Sequence, residues 1–182
     1  MATAAASGLA GHPVTTLYAS PLQRAQESAE PWAAAFGLEV VTDDRLIEPH
    51  NRFEGGTVEF GLSLITRPST WPLIVNPFKP SWGEAFVDVA ARMIAVIDAA
   101  WEAADGGEVV MVSHQMPIVM VQRAVAGRHL WHDPRKRRCS LSSITTFERR
   151  EDSAPNEPRY REVGYREPAA SLLAQAVDTG AV

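Results

Sequence analysis

The sequence predicts a three-layer α/β/α fold with a mostly parallel sheet, on three observations. Short β-branched or apolar runs alternate with longer amphipathic stretches of helical spacing. One of those runs, residues 108–113 (EVVMVS), is apolar almost without interruption, the pattern of a parallel strand covered on both faces. The order along the chain is strand, helix, strand, long connection, helix, strand, helix and then two further strands. The 182 residues, 46% hydrophobic and 21% charged, fit one compact domain.

The first strand is read at residues 14–19 (VTTLYA), which are β-branched and aromatic and follow Gly11, His12 and Pro13. Ser20 is a natural N-cap with Pro21 at the first helical position, and Leu22, Ala25, Ala29, Trp32, Ala33 and Phe36 recur at helical spacing until Gly37. A second strand falls at 38–42. Residues 49–81 are rich in proline and aromatics without sustained periodicity, so they read as an insertion, either a lid over the strand-end rim or a packed surface loop. From 84 to 104 the apolar positions Phe86, Val89, Ala90, Met93, Ile94, Ile97 and Trp101 mark an amphipathic helix, ended by Asp105-Gly106-Gly107. The strand at 108–113 and a helix over 117–126 follow; later strands are expected at 140–147 and 160–165. Residues 1–167 thus form one domain carrying the 49–81 insertion, and 168–182 a flexible tail with a short helix at 171–176.

Charge and cysteine content narrow the function. Seventeen Lys and Arg against 22 Asp and Glu leave a formal charge of −5, against a general nucleic-acid binder held by counterion release. The run Arg135-Lys136-Arg137-Arg138 is read as solvated loop charge. Cys139 is the single cysteine, which excludes an intrachain disulfide framework and suits a reducing compartment. No apolar run approaches the roughly 20 residues that span a bilayer, and the Ala-rich start lacks the basic and strongly apolar regions of a secretory signal. The expectation is a cytoplasmic protein without membrane or nucleic-acid partners and of undetermined oligomeric state.

Two strand-to-helix junctions carry the polar groups. At the first, Arg24 lies in the opening turn of a helix; at the second, His114 follows the apolar strand. Helix amino ends present unpaired N–H groups and partial positive charge, and an arginine and a histidine there reinforce binding of an anion, with phosphate the obvious candidate. Either residue alone is commonly structural or solvated. Two such junctions aimed at one rim favour function.

Residues 20–30 (SPLQRAQESAE), Asp44-Arg45-Leu46-Ile47-Glu48, Gly83-Glu84-Ala85 and Val109-Val110-Met111-Val112-Ser113-His114 resemble, in order, the signatures of the histidine phosphatase superfamily, which includes the cofactor-dependent phosphoglycerate mutases. The resemblance implies a phosphoglycerate mutase-like fold and attack of a histidine imidazole on phosphorus, giving a phosphohistidine. It further implies that Arg24 holds phosphoryl oxygens, that His114 is the second pocket histidine, and that Glu48 is the general acid to the leaving alkoxide. No metal or other cofactor is implied, and the partner is a phosphorylated small molecule or inorganic phosphate. The insertion supplies only Arg52, Arg67 and Lys79 as cations among many aromatics, which tilts the expected substrate towards one with a partly apolar body.

One departure stands out. Family members carry their nucleophile in an Arg-His-Gly at the end of a first strand, and this sequence has no Arg-His-Gly. His12 in Gly-His-Pro precedes a strand and reads as a turn residue, His50 as a surface histidine, and His129 and His132 with Asp133 lack the further ligands of a metal site. The expectation is that Met1 is an internal methionine of a longer protein and that a first strand, its loop and most of a helix, on the order of 30 residues, are missing. Without them two strand neighbours would keep open edges beside a groove, and the chain would be inactive. The alternative is a short non-catalytic homologue that binds a phospho-ligand or a protein. Reading the frame upstream of Met1 separates the two. Smaller departures are Gln115 where glycine usually follows the second histidine, and Ala85 in place of serine.

Overall fold

β1 (Val14–Ala19) lies between two parallel partners in this computed structural model, which describes residues 1–49, 84–104, 106–154 and 157–175. Its neighbours are β2 (Val40–Thr42) and β3 (Glu108–Val112), giving the order β2-β1-β3 with Leu17 level with Val40 on one side and Val110 on the other. The insertion expected at 49–81 lies, apart from Pro49, outside the described residues, as do His50 and the end of the tail.

Alternation along the strands sorts the core into two layers. Leu17 and Ala19, with Val110 and Val112 of β3, face α1 (Ala2–Ser7) and α2 (Gln23–Phe36), where Ala5, Ala6, Ala29 and Trp32 are buried. Tyr18 and Met111 face the opposite way, onto α3 (Phe86–Ala103) and α4 (Gln115–Val125) through Val89, Met93, Val96, Val119 and Met120. Each fully buried Val, Leu or Met contributes about 1.5–3 kcal/mol. A sheet with both faces covered needs apolar residues at successive positions, which is why β3 reads as a continuous apolar run. The fold is therefore the expected α/β type with helices on both faces.

β4 (Ile144–Arg149) and β5 (Tyr160–Arg166) form a separate antiparallel pair with a bulge between Thr146 and Phe147. Among the described residues β3 pairs only with β1, and β4 only with β5. A short helix, α5 (Ala170–Leu173), follows, with Ala169 buried ahead of it.

Several expected boundaries move for local reasons. α2 starts at Gln23 with an extended Leu22 before it, because the Ser20 hydroxyl accepts from the Leu22 N–H at 3.4 Å and is also engaged by His114. α4 starts at Gln115 rather than 117, and Pro117 sits in its first turn, where the missing N–H costs nothing. The second strand is shortened at its start, and a 3-10 turn at Asp44–Leu46 follows, whose Asp43 cap accepts the Arg45 N–H at 2.8 Å. β4 begins only at Ile144, after a turn in which Ser142 takes a positive φ of 56°.

Candidate active site

The register that places Ala19 beside both Thr42 and Val112 brings three strand ends to one rim, so the segments leaving β1, β2 and β3 emerge together. Arg24 in the first turn of α2, Glu48 after β2 and His114 ahead of α4 meet there. Arg24 Nη2 donates to Glu48 Oε2 at 2.6 Å, and its Nε donates to His114 Nδ1 at 3.4 Å. His114 Nδ1 lies 3.6 Å from the same Glu48 oxygen. The three residues singled out from sequence thus form one cluster.

Exposure divides their roles. The His114 side chain is 6% exposed, Glu48 36% and Arg24 57%, so a buried imidazole forms the floor and a guanidinium reaches the solvent side. A guanidinium can only donate, so His114 Nδ1 accepts, and Nε2 carries the proton that is donated to Ser20 Oγ at 2.8 Å. The imidazole is held neutral. Burial pushes its pKa below the ordinary histidine value; Glu48 opposes this, while Arg24 and Arg92 reinforce it.

The Glu48 segment is held from behind. Arg92 on α3 donates through Nη2 to the Ile47 carbonyl at 2.7 Å and through Nη1 to the Arg45 carbonyl, while Glu84 clamps its Nε at 2.9 Å. Ser113 Oγ donates to the Leu46 carbonyl at 2.8 Å, tying the same segment to β3. Sequence reasoning missed Arg92 and the part played by Ser20. Glu84 lies ahead of α3, so helical spacing gave no signal for its pair with Arg92.

The remaining histidines lie elsewhere or do other work. His12 pairs with Glu108 at 3.0 Å at the opposite, amino-terminal end of β1 and β3. His129 is exposed. His132 Nδ1 donates to the Leu130 carbonyl at 2.8 Å, and its Nε2 accepts from Arg137 at 3.0 Å. Among the described residues no group of three or more His, Cys, Asp or Glu gathers as a metal site, and no helix is long and apolar enough to cross a membrane.

Comparisons with known proteins give the family and the fold. The family model of the histidine phosphatase superfamily (branch 1) matches residues 1–156. The uncharacterized protein Rv0525 of Mycobacterium tuberculosis is 46% identical over 169 residues, covering 93% of this chain and 81% of that protein. A probable phosphoglycerate mutase, GpmB of Yersinia enterocolitica, is 31% identical over 138 residues, 72% of this chain and 63% of that one. Among solved structures, mycobacterial hydrolase 2 superposes with a TM-score of 0.70 at 21% identity, over 96% of this chain and 81% of that one. A complex of the mycobacterial glucosyl-3-phosphoglycerate phosphatase Rv2419c with inorganic phosphate gives 0.55 at 27% identity, over 71% and 67%. With ordered motifs, a shared fold and a matching family model, the chain belongs to the histidine phosphatase superfamily.

Proposed function

We propose that Arg24, His114 and Glu48 form the phosphoryl pocket of a phosphomonoesterase that works through a phosphohistidine. Arg24 and the helix ends neutralise charge on the phosphoryl oxygens, and the His114 ring forms the buried wall. In the family reaction a nucleophilic imidazole forms an N–P bond as the ester P–O bond breaks, and Glu48 donates a proton to the departing alkoxide. Water then attacks phosphorus, releasing phosphate and freeing the imidazole. Arg24 has Glu48 as its carboxylate partner, so an incoming phosphoryl group competes with Glu48 for the guanidinium and frees the carboxylate, which takes the proton brought in by a substrate monoanion, passes it to the leaving oxygen, and regains one from the attacking water. The observation that carries this reading is the convergence of the three side chains at one strand-end rim.

The nucleophile's part is assigned to no residue of these 182, which contain no Arg-His-Gly. They bind phosphate without turning ester over. The same absence favours a second reading, a non-catalytic homologue that holds a phospho-ligand or a protein partner. Residues 1–167 form a single domain that carries the 49–81 insertion, and the buried free thiol of Cys139 suits a cytoplasmic setting.

The test is titration calorimetry with orthophosphate. Arg24→Ala should weaken binding about tenfold or more, since hydrogen bonds to charged groups contribute roughly 1.5–3 kcal/mol. Unchanged affinity sinks the pocket. The 182-residue chain should leave p-nitrophenyl phosphate intact, and robust hydrolysis lost in His114→Ala would overturn that assignment.

A further inference from the structure

The geometry points to Arg137 as a specificity residue beside this pocket, one that takes a second anionic group on the phosphorylated substrate. The inference rests on the phosphoryl-pocket reading and extends it.

The argument starts from how the basic run 135–138 is distributed. Arg135 pairs with Asp133 at 3.3 Å, and Arg138 pairs with Glu162 and lies over the Tyr165 ring at 4.7 Å. Arg137 differs from both. It is half-buried, and among the described residues no carboxylate pairs with it. Its Nε donates to His132 Nε2 at 3.0 Å, and its Nη1 donates to Gln115 Oε1 at 3.4 Å. Both acceptors are neutral. His132 keeps its proton on Nδ1 for the Leu130 carbonyl, and Gln115 is a side-chain amide. The two contacts therefore orient the guanidinium without neutralising it, and three of its five N–H groups have no partner among the described residues.

A cation withdrawn from water and held by neutral groups is costly to keep, and burial lowers the Arg137 pKa accordingly. Such arrangements concentrate where a ligand supplies the missing charge. The position fits. Gln115 follows His114 directly, and its Nε2 donates to the Cys139 carbonyl at 3.0 Å, which leaves Oε1 for Arg137. Arg137 lies within the field of Glu48, the carboxylate that Arg24 grips. The pocket thus has one guanidinium for the phosphoryl group and another nearby that pairs directly with no carboxylate among the described residues. A substrate carrying a carboxylate or second phosphate close to its phosphoryl group would satisfy both. The scarcity of cations in residues 49–81 is offset by a cation from the loop before β4.

Titrating the 182-residue chain with ethyl phosphate, phosphoglycolate and pyrophosphate tests this. Wild type should bind at least one of the doubly acidic ligands about tenfold tighter than ethyl phosphate, the better of the two identifying the second group as carboxylate or phosphate. Arg137→Gln should cut that preference at least fivefold, and Gln115→Ala, which keeps the cation but removes its guide, should cut it part of the way. Unfolding midpoints matching wild type separate this from misfolding. Equal affinity for all three ligands, or a preference that survives Arg137→Gln, overturns the role of Arg137 while leaving the pocket standing. Orthophosphate binding indifferent to Arg24→Ala overturns the pocket and this inference together.

Discussion

His114 shows how one buried side chain turns geometry into a pH dependence. Its proton affinity in the folded chain is lowered by burial, with Glu48 acting in opposition and Arg24 and Arg92 in support. In the unfolded chain the imidazole titrates near its ordinary value of 6.5. Because the folded value is the lower one, the stability linked to a neutral His114 is fully present above pH 6.5 and is lost as pH falls through the folded-state value. His132 is shifted in the same direction, chiefly by burial, and adds to the loss. Urea midpoints should therefore drop between pH 7.5 and pH 5, and His114→Gln should flatten that drop. An equal drop in both proteins would show that the imidazole is not the titrating group. The site was legible in sequence to the extent that each residue sat in an ordered motif: Arg24, Glu48 and His114 all arrive where expected. Arg92 and Arg137 were not legible, because the contacts that tie them to the site, Arg92 to the Arg45 carbonyl and Arg137 to Gln115, span 47 and 22 residues of chain.

The elements explain why the cluster holds its shape. Glu48 follows a 3-10 turn with no long helix or strand of its own, so its placement depends on α3, through Arg92, and on β3, through Ser113. Arg92→Met would strand two carbonyls and the Glu84 carboxylate, destabilising the chain by roughly 2–3 kcal/mol and loosening Glu48. Urea unfolding reads the first effect. The second should appear as weaker orthophosphate binding, and a variant that loses neither would remove Arg92 from the account. The start of β3 is constrained differently. Gly107 has φ of 80°, and a Cβ there would lie 2.5 Å from Thr15 Cγ2 and 2.8 Å from the Pro13 carbonyl oxygen. Gly107→Ala should thus cost about 2–4 kcal/mol, from the left-handed backbone and the clash combined, whereas Gly106→Ala, with φ of 92° but open space, should cost less. Equal losses measured by chemical denaturation would mean that the contact with β1 is unimportant.

For the molecule as a whole, periodicity revealed the layers and their order, because a doubly covered sheet and its crossover helices must repeat apolar residues at different intervals. Edges were harder to read. Which strands lie side by side is decided by long-range pairing, and spacing alone did not show that β1 would be central or that β4 and β5 would stand apart as an antiparallel pair. That arrangement carries a prediction for hydrogen exchange. β1 is paired with β3 from Val14 to Ala19 and with β2 over Leu17–Ala19, so in that last stretch its amides face a strand whichever way they point. β3 is paired with β1 along one edge and has no strand on its other edge among the described residues. Successive amides in a strand point to opposite edges, so β3 should alternate between protected amides facing β1 and outward amides that exchange much faster, while β1 stays protected over Leu17–Ala19. β4 should show the same alternation against β5. Exchange followed residue by residue by NMR would display the two patterns directly. Uniform protection along β3 would mean that a further strand lies against its outer edge in solution, and the β2-β1-β3 order would then have to be extended on that side.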